Sequence, residues 1–294
     1  MDRRSFLASV PLLAGAAAGC SRPAEETSSP RTDPNASTSG SSSAIPAALG
    51  VQLYTLRSVM QDPAATFATV ASLGYREVEL AGLYGLSPQA LRGLLDDAGL
   101  RTPSTHVGLE RFEPDAREAL FDEAATLGHE WLVCPWTPEE LRTPDGYRRL
   151  ADLFNEAGEA AGARGLSVGY HNHAFEFESL DGGPSGLQIL LERGSPGLLS
   201  FQLDLFWAVD AGEDPVGWFA AHPGRWASVH AKDRTVDGTM VSVGDGTLDF
   251  AELIDAGVAA GVRHVFVEHD QPADPIESVA RSVRHLESLR RNGA

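Results

Sequence analysis

Leu199-Ser200-Phe201-Gln202-Leu203-Asp204-Leu205, then Asp214-Pro215, then Gly224, then Ala227-Ser228-Val229-His230-Ala231-Lys232: this stretch decides the fold. A short apolar run reads as a buried strand. An Asp followed by Pro is an N-cap before the first helical position, where the missing N–H of Pro costs nothing. A Gly after the helical segment supplies the left-handed C-cap, and a second apolar run follows. One strand–helix–strand unit is complete, and both of its strands run out on polar residues, Asp204 in the first and His230 with Lys232 in the second.

The same cadence extends in both directions. Apolar runs fall at Gly50–Tyr54, Glu77–Leu80, Thr102–Val107, Trp131–Pro135, Leu166–His171, Leu199–Leu205, Ala227–Ala231 and His264–Glu268, their starts spaced by 25 to 37 residues. Asp62-Pro63, Ser87-Pro88, Thr143-Pro144 and Asp274-Pro275 repeat the helix-start signal, and Asp115 and Asp249 read as two more caps. Gly74, Gly99, Gly128, Gly165 and Gly261 repeat the stop. Alternating strands and helices imply a parallel sheet with helices outside. Eight units predict an α/β fold of the (β/α)8 TIM-barrel type, a single domain over residues 47–294. A doubly wound sheet is the alternative, but its Gly-rich first turn is missing where Gln52-Leu53-Tyr54-Thr55-Leu56-Arg57 stands.

Residues 1–20 read as an address. Arg3-Arg4-Ser5-Phe6-Leu7 and the uncharged run to Gly19 resemble a twin-arginine export signal, and Cys20 after Ala17-Ala18-Gly19 resembles a lipoprotein cleavage site, with Ala17 where Leu is usual. Ordinary cleavage near Ala16 to Ala18 is the alternative. Residues 21–46, rich in Ser, Thr and Pro, read as a solvated tether. The expected location is the periplasm or cell envelope, with membrane contact only through the lipid anchor. The chain of 294 residues carries a net charge of −18. The first 44 residues hold four Arg and four acids, so the excess belongs to the barrel. That charge disfavours nucleic acid and anionic membrane surfaces as partners. Cys134, in Trp131-Leu132-Val133-Cys134, reads as a small core residue. Of 23 cationic residues, 22 are Arg; Lys232 is the only Lys.

In a barrel of this kind chemistry gathers at the C-terminal ends of the strands. His106 ends the third, His171-Asn172-His173 the fifth, Asp204 the sixth with Trp207 just after, His230 with Lys232-Asp233 the seventh, and Glu268-His269-Asp270 the eighth. Imidazoles and carboxylates converging on one mouth suit a divalent Mn, Co, Zn or Fe ion. His171, Asp204, His230 and Glu268, from four consecutive strands about 4.8 Å apart, are the set that could share one ion. Taken singly, each is as well explained by an ordinary hydrogen-bonded group. His171 and His173 share a face with Asn172 opposite, and Glu176 and Glu178 read as solvated. Lys232, two residues past His230, offers a compact ammonium where Arg offers a planar fork.

Gly169-Tyr170-His171-Asn172-His173-Ala174-Phe175-Glu176-Phe177, Leu203-Asp204-Leu205-Phe206-Trp207, Val229-His230-Ala231-Lys232-Asp233 and Val267-Glu268-His269-Asp270 together resemble the xylose-isomerase-like barrels, which include sugar phosphate isomerases/epimerases and inosose dehydratase. The resemblance covers about residues 47–291. It implies one divalent ion held by Glu, Asp, His and Glu from strands five to eight; Asp204, His230 and Glu268 match, and His171 stands where the first Glu is expected. The expected function is a metal-dependent isomerase or epimerase on a non-phosphorylated sugar, keto-sugar or cyclitol. Glu268 is the base, His171 or His173 the partner acid, and Lys232 the support of a developing oxyanion. His106, Asn172 and Asp233 contact substrate, and Trp136 and Trp207 stack on its ring. A keto-sugar dehydratase of the inosose dehydratase type is the first alternative, and an exported sugar-binding lipoprotein or inactive barrel the second. A homo-oligomer is compatible with all of these.

Overall fold

The structure, a computed structural model, describes residues 45–292. The export signal, Cys20 and the tether up to residue 44 lie outside the described residues. Ile45, placed by sequence in the tether, is buried and packs into the core with Leu49. Among the described residues no helix is long and apolar enough to cross a membrane.

In chain order the elements are β1 (Gly50–Gln52), α1 (Pro63–Ser72), β2 (Glu77–Leu80), α2 (Pro88–Ala98), β3 (Arg101–His106), α3 (Arg117–Leu127), β4 (Trp131–Cys134), α4 (Pro144–Gly162), β5 (Ser167–His171), α5 (Gly186–Arg193), β6 (Leu199–Asp204), α6 (Leu205–Asp210), α7 (Pro215–Ala221), β7 (Trp226–Ala231), β8 (Asp233–Arg234), β9 (Met240–Val241), α8 (Phe250–Ala259), β10 (His264–Val267) and α9 (Pro275–Asn292). Eight parallel strands close into a barrel in the order β1-β10-β7-β6-β5-β4-β3-β2. The predicted barrel therefore stands.

Its local causes are the predicted ones at most positions. The side chains of Asp62, Ser87, Thr143, Asp214 and Asp249 each accept a hydrogen bond from an N–H of the helix they precede, and Asp274 Oδ1 accepts from Glu277 N. All six glycines read as helix stops have positive φ, from 68° at Gly99 to 112° at Gly261. Asp115 is the exception, because α3 begins from Ala116 with no side-chain cap. The first apolar run ends as a strand at Gln52, where the chain turns into a 3-10 helix, Leu53–Val59, and Gln52 Oε1 accepts from Tyr54 N. Cys134 is a buried core residue, and burial pushes its thiol up to about 12.

Strand alternation puts a polar set inside the barrel. The register pairs Gln52 with Glu79, Glu79 with Ser104, His171 with Gln202, Gln202 with Ser228, and Asp204 with His230. Two residues further along, the same alternation delivers His173 and Lys232 to the mouth.

After β7 the chain makes a hairpin, β8 with β9, that the apolar periodicity does not announce. Asp233 organises it. Its buried carboxylate accepts from Arg234 N (2.8 Å), Gly244 N (2.9 Å), Gly246 N (3.0 Å) and Leu248 N (3.2 Å). The expectation that Asp233 contacts substrate is thus corrected: its acceptor capacity is spent on the loop leading into α8. Asp233→Ala should lower unfolding free energy by about 3 kcal/mol in a denaturant titration, because several backbone donors lose a charged acceptor.

Candidate active site

A cavity of about 490 Å³ opens where the strands end, with His106, Trp136, His171, His173, Lys232 and Glu268 in its wall. Six of the residues picked out by sequence therefore share one pocket. Tyr54 and Gln271, which the sequence reading did not place there, also line it, as does Asp270, read from sequence at the end of the eighth strand without a role. Lys232 is the only Lys or Arg among its described lining residues.

Behind the cavity floor lies a buried network centred on Glu79. Its Oε2 accepts from Gln52 Nε2 at 2.8 Å and faces His230 Nε2 at 2.6 Å. Its Oε1 accepts from Gln202 Nε2 at 2.9 Å and from the Ser104 hydroxyl. Burial alone would raise the Glu79 pKa, but the nearby imidazoles of His106 and His230 overcome that and hold it well below the ordinary range. Gln202 continues the network, with its Oε1 2.8 Å from His106 Nε2 and 3.1 Å from His171 Nδ1. Sequence reading assigned Glu79 only to the fold. The available signal was an acid at an inward position of a wholly buried strand, which must find donors elsewhere.

His230 joins the network to the cavity. Nε2 meets Glu79, and Nδ1 meets Glu268 Oε2 at 2.7 Å. Burial opposes charge on the ring, yet Glu268 and Glu79 raise its pKa to about 10. An ionised carboxylate can only accept, so each ring nitrogen carries a proton toward its partner. Glu268 is treated alike: burial would raise its pKa, but Lys232 and His230 hold it below the usual carboxylate range. Lys232 Nζ lies 3.0 Å from Asp204 Oδ2, 2.9 Å from Glu268 Oε2 and 2.8 Å from Asp270 Oδ1. Burial would lower its pKa, and those three carboxylates raise it instead. Asp204 is buried and its pKa is pushed up to about 6, desolvation outweighing the pull of Lys232 and His230.

Three of the four residues predicted to share an ion lie in one group, and His171 falls in a second group with His106 and His230. Potential ligand atoms of Asp204, His230 and Glu268 lie within 4.8 Å of one another, and so do those of His106, His171 and His230. His171 Nε2 is 3.8 Å from Asp204 Oδ2. That Oδ2 is buried and has no partner in hydrogen-bond geometry, although the Lys232 ammonium lies 3.0 Å from it. A buried carboxylate oxygen of this kind, beside an imidazole nitrogen and a second carboxylate, fits the donor preferences of a divalent transition metal.

Other expectations are sorted by the geometry. Asn172 turns away from the cavity as its alternation requires, and its Oδ1 accepts from Asp204 N at 3.0 Å. It positions Asp204 rather than lining the cavity. Trp207 lies behind His173, with ring centroids 5.6 Å apart, and its indole N–H has no partner. Trp136 stands at the mouth, 49% exposed. His269 points outward to Ser278. Glu176, read as solvated, is fully buried: Oε1 accepts from the Tyr170 hydroxyl at 2.6 Å and Oε2 from His173 N at 2.7 Å. It pins the segment that presents His173. Burial drives the pKa of His173 down to about 3 and holds that of His171 well below the usual value, so both rings are neutral at pH 7.

Burial likewise raises Glu176 to about 7, above its unfolded value. Its contribution to stability is therefore full below the unfolded pKa and is lost as pH rises through about 7. Glu176→Gln, which mimics the protonated acid, should gain on wild type by about 1–3 kcal/mol between pH 5 and pH 8, read from denaturant midpoints at each pH. An unchanged difference across that range contradicts the assignment.

A family profile for the xylose isomerase-like TIM barrel matches residues 67–289. Two solved structures of sugar phosphate isomerase/epimerase proteins from Parabacteroides distasonis are similar. One is 26% identical with a TM-score of 0.75 and covers 84% of this chain and 98% of that one. The other is 27% identical with a TM-score of 0.71 and covers 81% and 96%. An inosose dehydratase of Geobacillus thermodenitrificans is 26% identical over 172 residues, 49% of this chain. The chain spans only 55% of that relative's length. The closed barrel, the polar mouth and a profile match over most of the chain agree: the protein belongs to the xylose isomerase-like TIM barrel family.

Proposed function

We propose that the protein is a metal-dependent isomerase or epimerase acting on a non-phosphorylated sugar, keto-sugar or cyclitol, by moving a proton on the carbon beside a carbonyl. One observation carries this reading: Glu268, buried and held ionised by Lys232 and His230, reaches the cavity wall beside Asp204. A carboxylate kept charged in a nearly dry site has no proton of its own and can accept one, although the ion pairs that keep it charged also lower its basicity. Asp204, His230 and Glu268, with His171 as fourth donor, would hold the divalent ion, which supplies Lewis acidity to a carbonyl oxygen. Lys232 places a positive charge where an enolate oxygen develops. Glu79 fixes the His230 ring through Nε2 and turns Nδ1 toward Asp204 and Glu268. Trp136 offers an apolar face at the mouth for a sugar ring.

A neutral substrate is favoured by the −18 charge and by a cavity whose described lining holds one Lys and no Arg. Export through the signal read at residues 1–20 would place the enzyme in the cell envelope.

A second reading, elimination of water from a keto-sugar, is favoured by one observation. The imidazoles of His171 and His173 are neutral, so they can bind hydroxyls but hold no spare proton for the opposite face of a carbon. Glu268 would then take the proton from the carbon beside the carbonyl and pass it to the leaving hydroxyl on the same face, so that water departs without a second acid. The similarity to inosose dehydratase supports this reading.

Incubation with keto-sugars in D₂O, followed by NMR, separates the two: exchange of a C–H signal with isomer formation supports isomerisation, and loss of water supports elimination. Glu268→Gln should lower kcat/KM and the exchange rate about 10²–10⁴-fold with the fold intact. Exchange at the wild-type rate would sink the assignment of Glu268.

A further inference from the structure

We infer that Lys232 is a built-in cation that competes with a divalent metal ion for Asp204 and Glu268, and that Asp270 is where its ammonium withdraws when the ion enters. The inference rests on the metal-dependent reading above and adds a regulation of the same site.

The competition follows from shared atoms. The oxygens that would ligate the ion with His230 Nδ1, once that nitrogen has given up its proton, are Asp204 Oδ2 and Glu268 Oε2. Lys232 Nζ already sits 3.0 Å from the first and 2.9 Å from the second. A transition metal bonds carboxylate oxygen at about 2.0–2.2 Å. An ion on either oxygen would therefore lie no farther than about 5 Å from the ammonium if the ammonium stayed in place. Two cations so close in a buried site repel strongly, because little water screens them.

The ammonium has somewhere to go. Asp270 Oδ1 holds it at 2.8 Å, and the Asp270 side chain is 27% exposed where those of Asp204 and Glu268 are 0% and 5%. Asp270 and Lys232 both line the cavity. Rotation of a flexible four-carbon stem keeps one ion pair while releasing the other two. The arrangement also explains how two buried carboxylates sit near each other before any ion binds: the ammonium compensates them. A guanidinium, planar and forked, would not fit as a point charge among three carboxylates. This gives the only Lys of the chain a physical reason to be Lys.

The test is calorimetric titration of Co²⁺ and Mn²⁺ into the chelator-stripped full chain, as wild type, Lys232→Met, Asp270→Asn and the double variant. Lys232→Met should bind at least tenfold more tightly than wild type. Asp270→Asn should bind at least threefold more weakly, and the double variant should match Lys232→Met, because Asp270 acts through the ammonium. Thermal unfolding gives a second readout: EDTA should lower the Tm of metal-loaded Lys232→Met by more than that of metal-loaded wild type, where the ammonium takes the place of the ion.

Affinity in Lys232→Met equal to or weaker than wild type overturns the competition and leaves the metal reading standing. Binding by Lys232→Met but not by wild type supports the competition and ends metal dependence of the natural protein. Binding by neither ends both. If Lys232→Met folds only with Co²⁺ present, that supports the competition. If it folds under neither condition, Asp270→Asn decides, and affinity equal to or above wild type overturns the inference.

Discussion

The interior of this barrel depends on compensating one buried charge. Glu79 has no exposed surface, and an ionised carboxylate there is tolerated only because donors from several strands converge on it. Gln52 reaches it from β1, Ser104 from β3, Gln202 from β6 and His230 from β7. Strands distant in sequence are thereby tied to one point. Removing any donor would leave part of a charge unsolvated, so the network constrains side-chain orientation as well as stability.

From Glu79 outward, charges alternate. The anion of Glu79 holds the cation of His230, which holds Glu268, which with Asp204 and Asp270 holds Lys232. For Glu79, His230, Lys232 and Glu268 the neighbours of opposite sign outweigh the burial that alone would neutralise each, whereas at Asp204 burial wins and the pKa rises. The outer end of this series forms the cavity wall. A site built this way stays charged with little water, which a proton-transfer enzyme needs and a core designed only for stability would avoid.

Much of this was legible in the chain. The caps at Asp62, Ser87, Thr143, Asp214 and Asp249 and the positive-φ glycines mark helix limits because capping chemistry is local. His171, His173, Lys232 and Glu268 were readable as a cluster because strand ends in a closed barrel share one mouth. Glu79 was not readable, because its partners lie 25 to 151 residues away and none forms a local motif. Asp233, Asn172 and Glu176 misled for a related reason: a polar side chain after a strand can serve a ligand or its own loop, and only the positions of the backbone donors decide.

The sequence by itself determined the eight-unit rhythm, the fold class and the polar residues at the mouth, since periodicity, capping and alternation act over a few residues. The tertiary structure decided which polar groups face the cavity, which serve the scaffold, and how charge is distributed among them. Those outcomes depend on distances between strands that no local pattern encodes. Lys232 shows the difference. Composition alone made it unusual, but only the closed barrel set its ammonium between Asp204, Glu268 and Asp270.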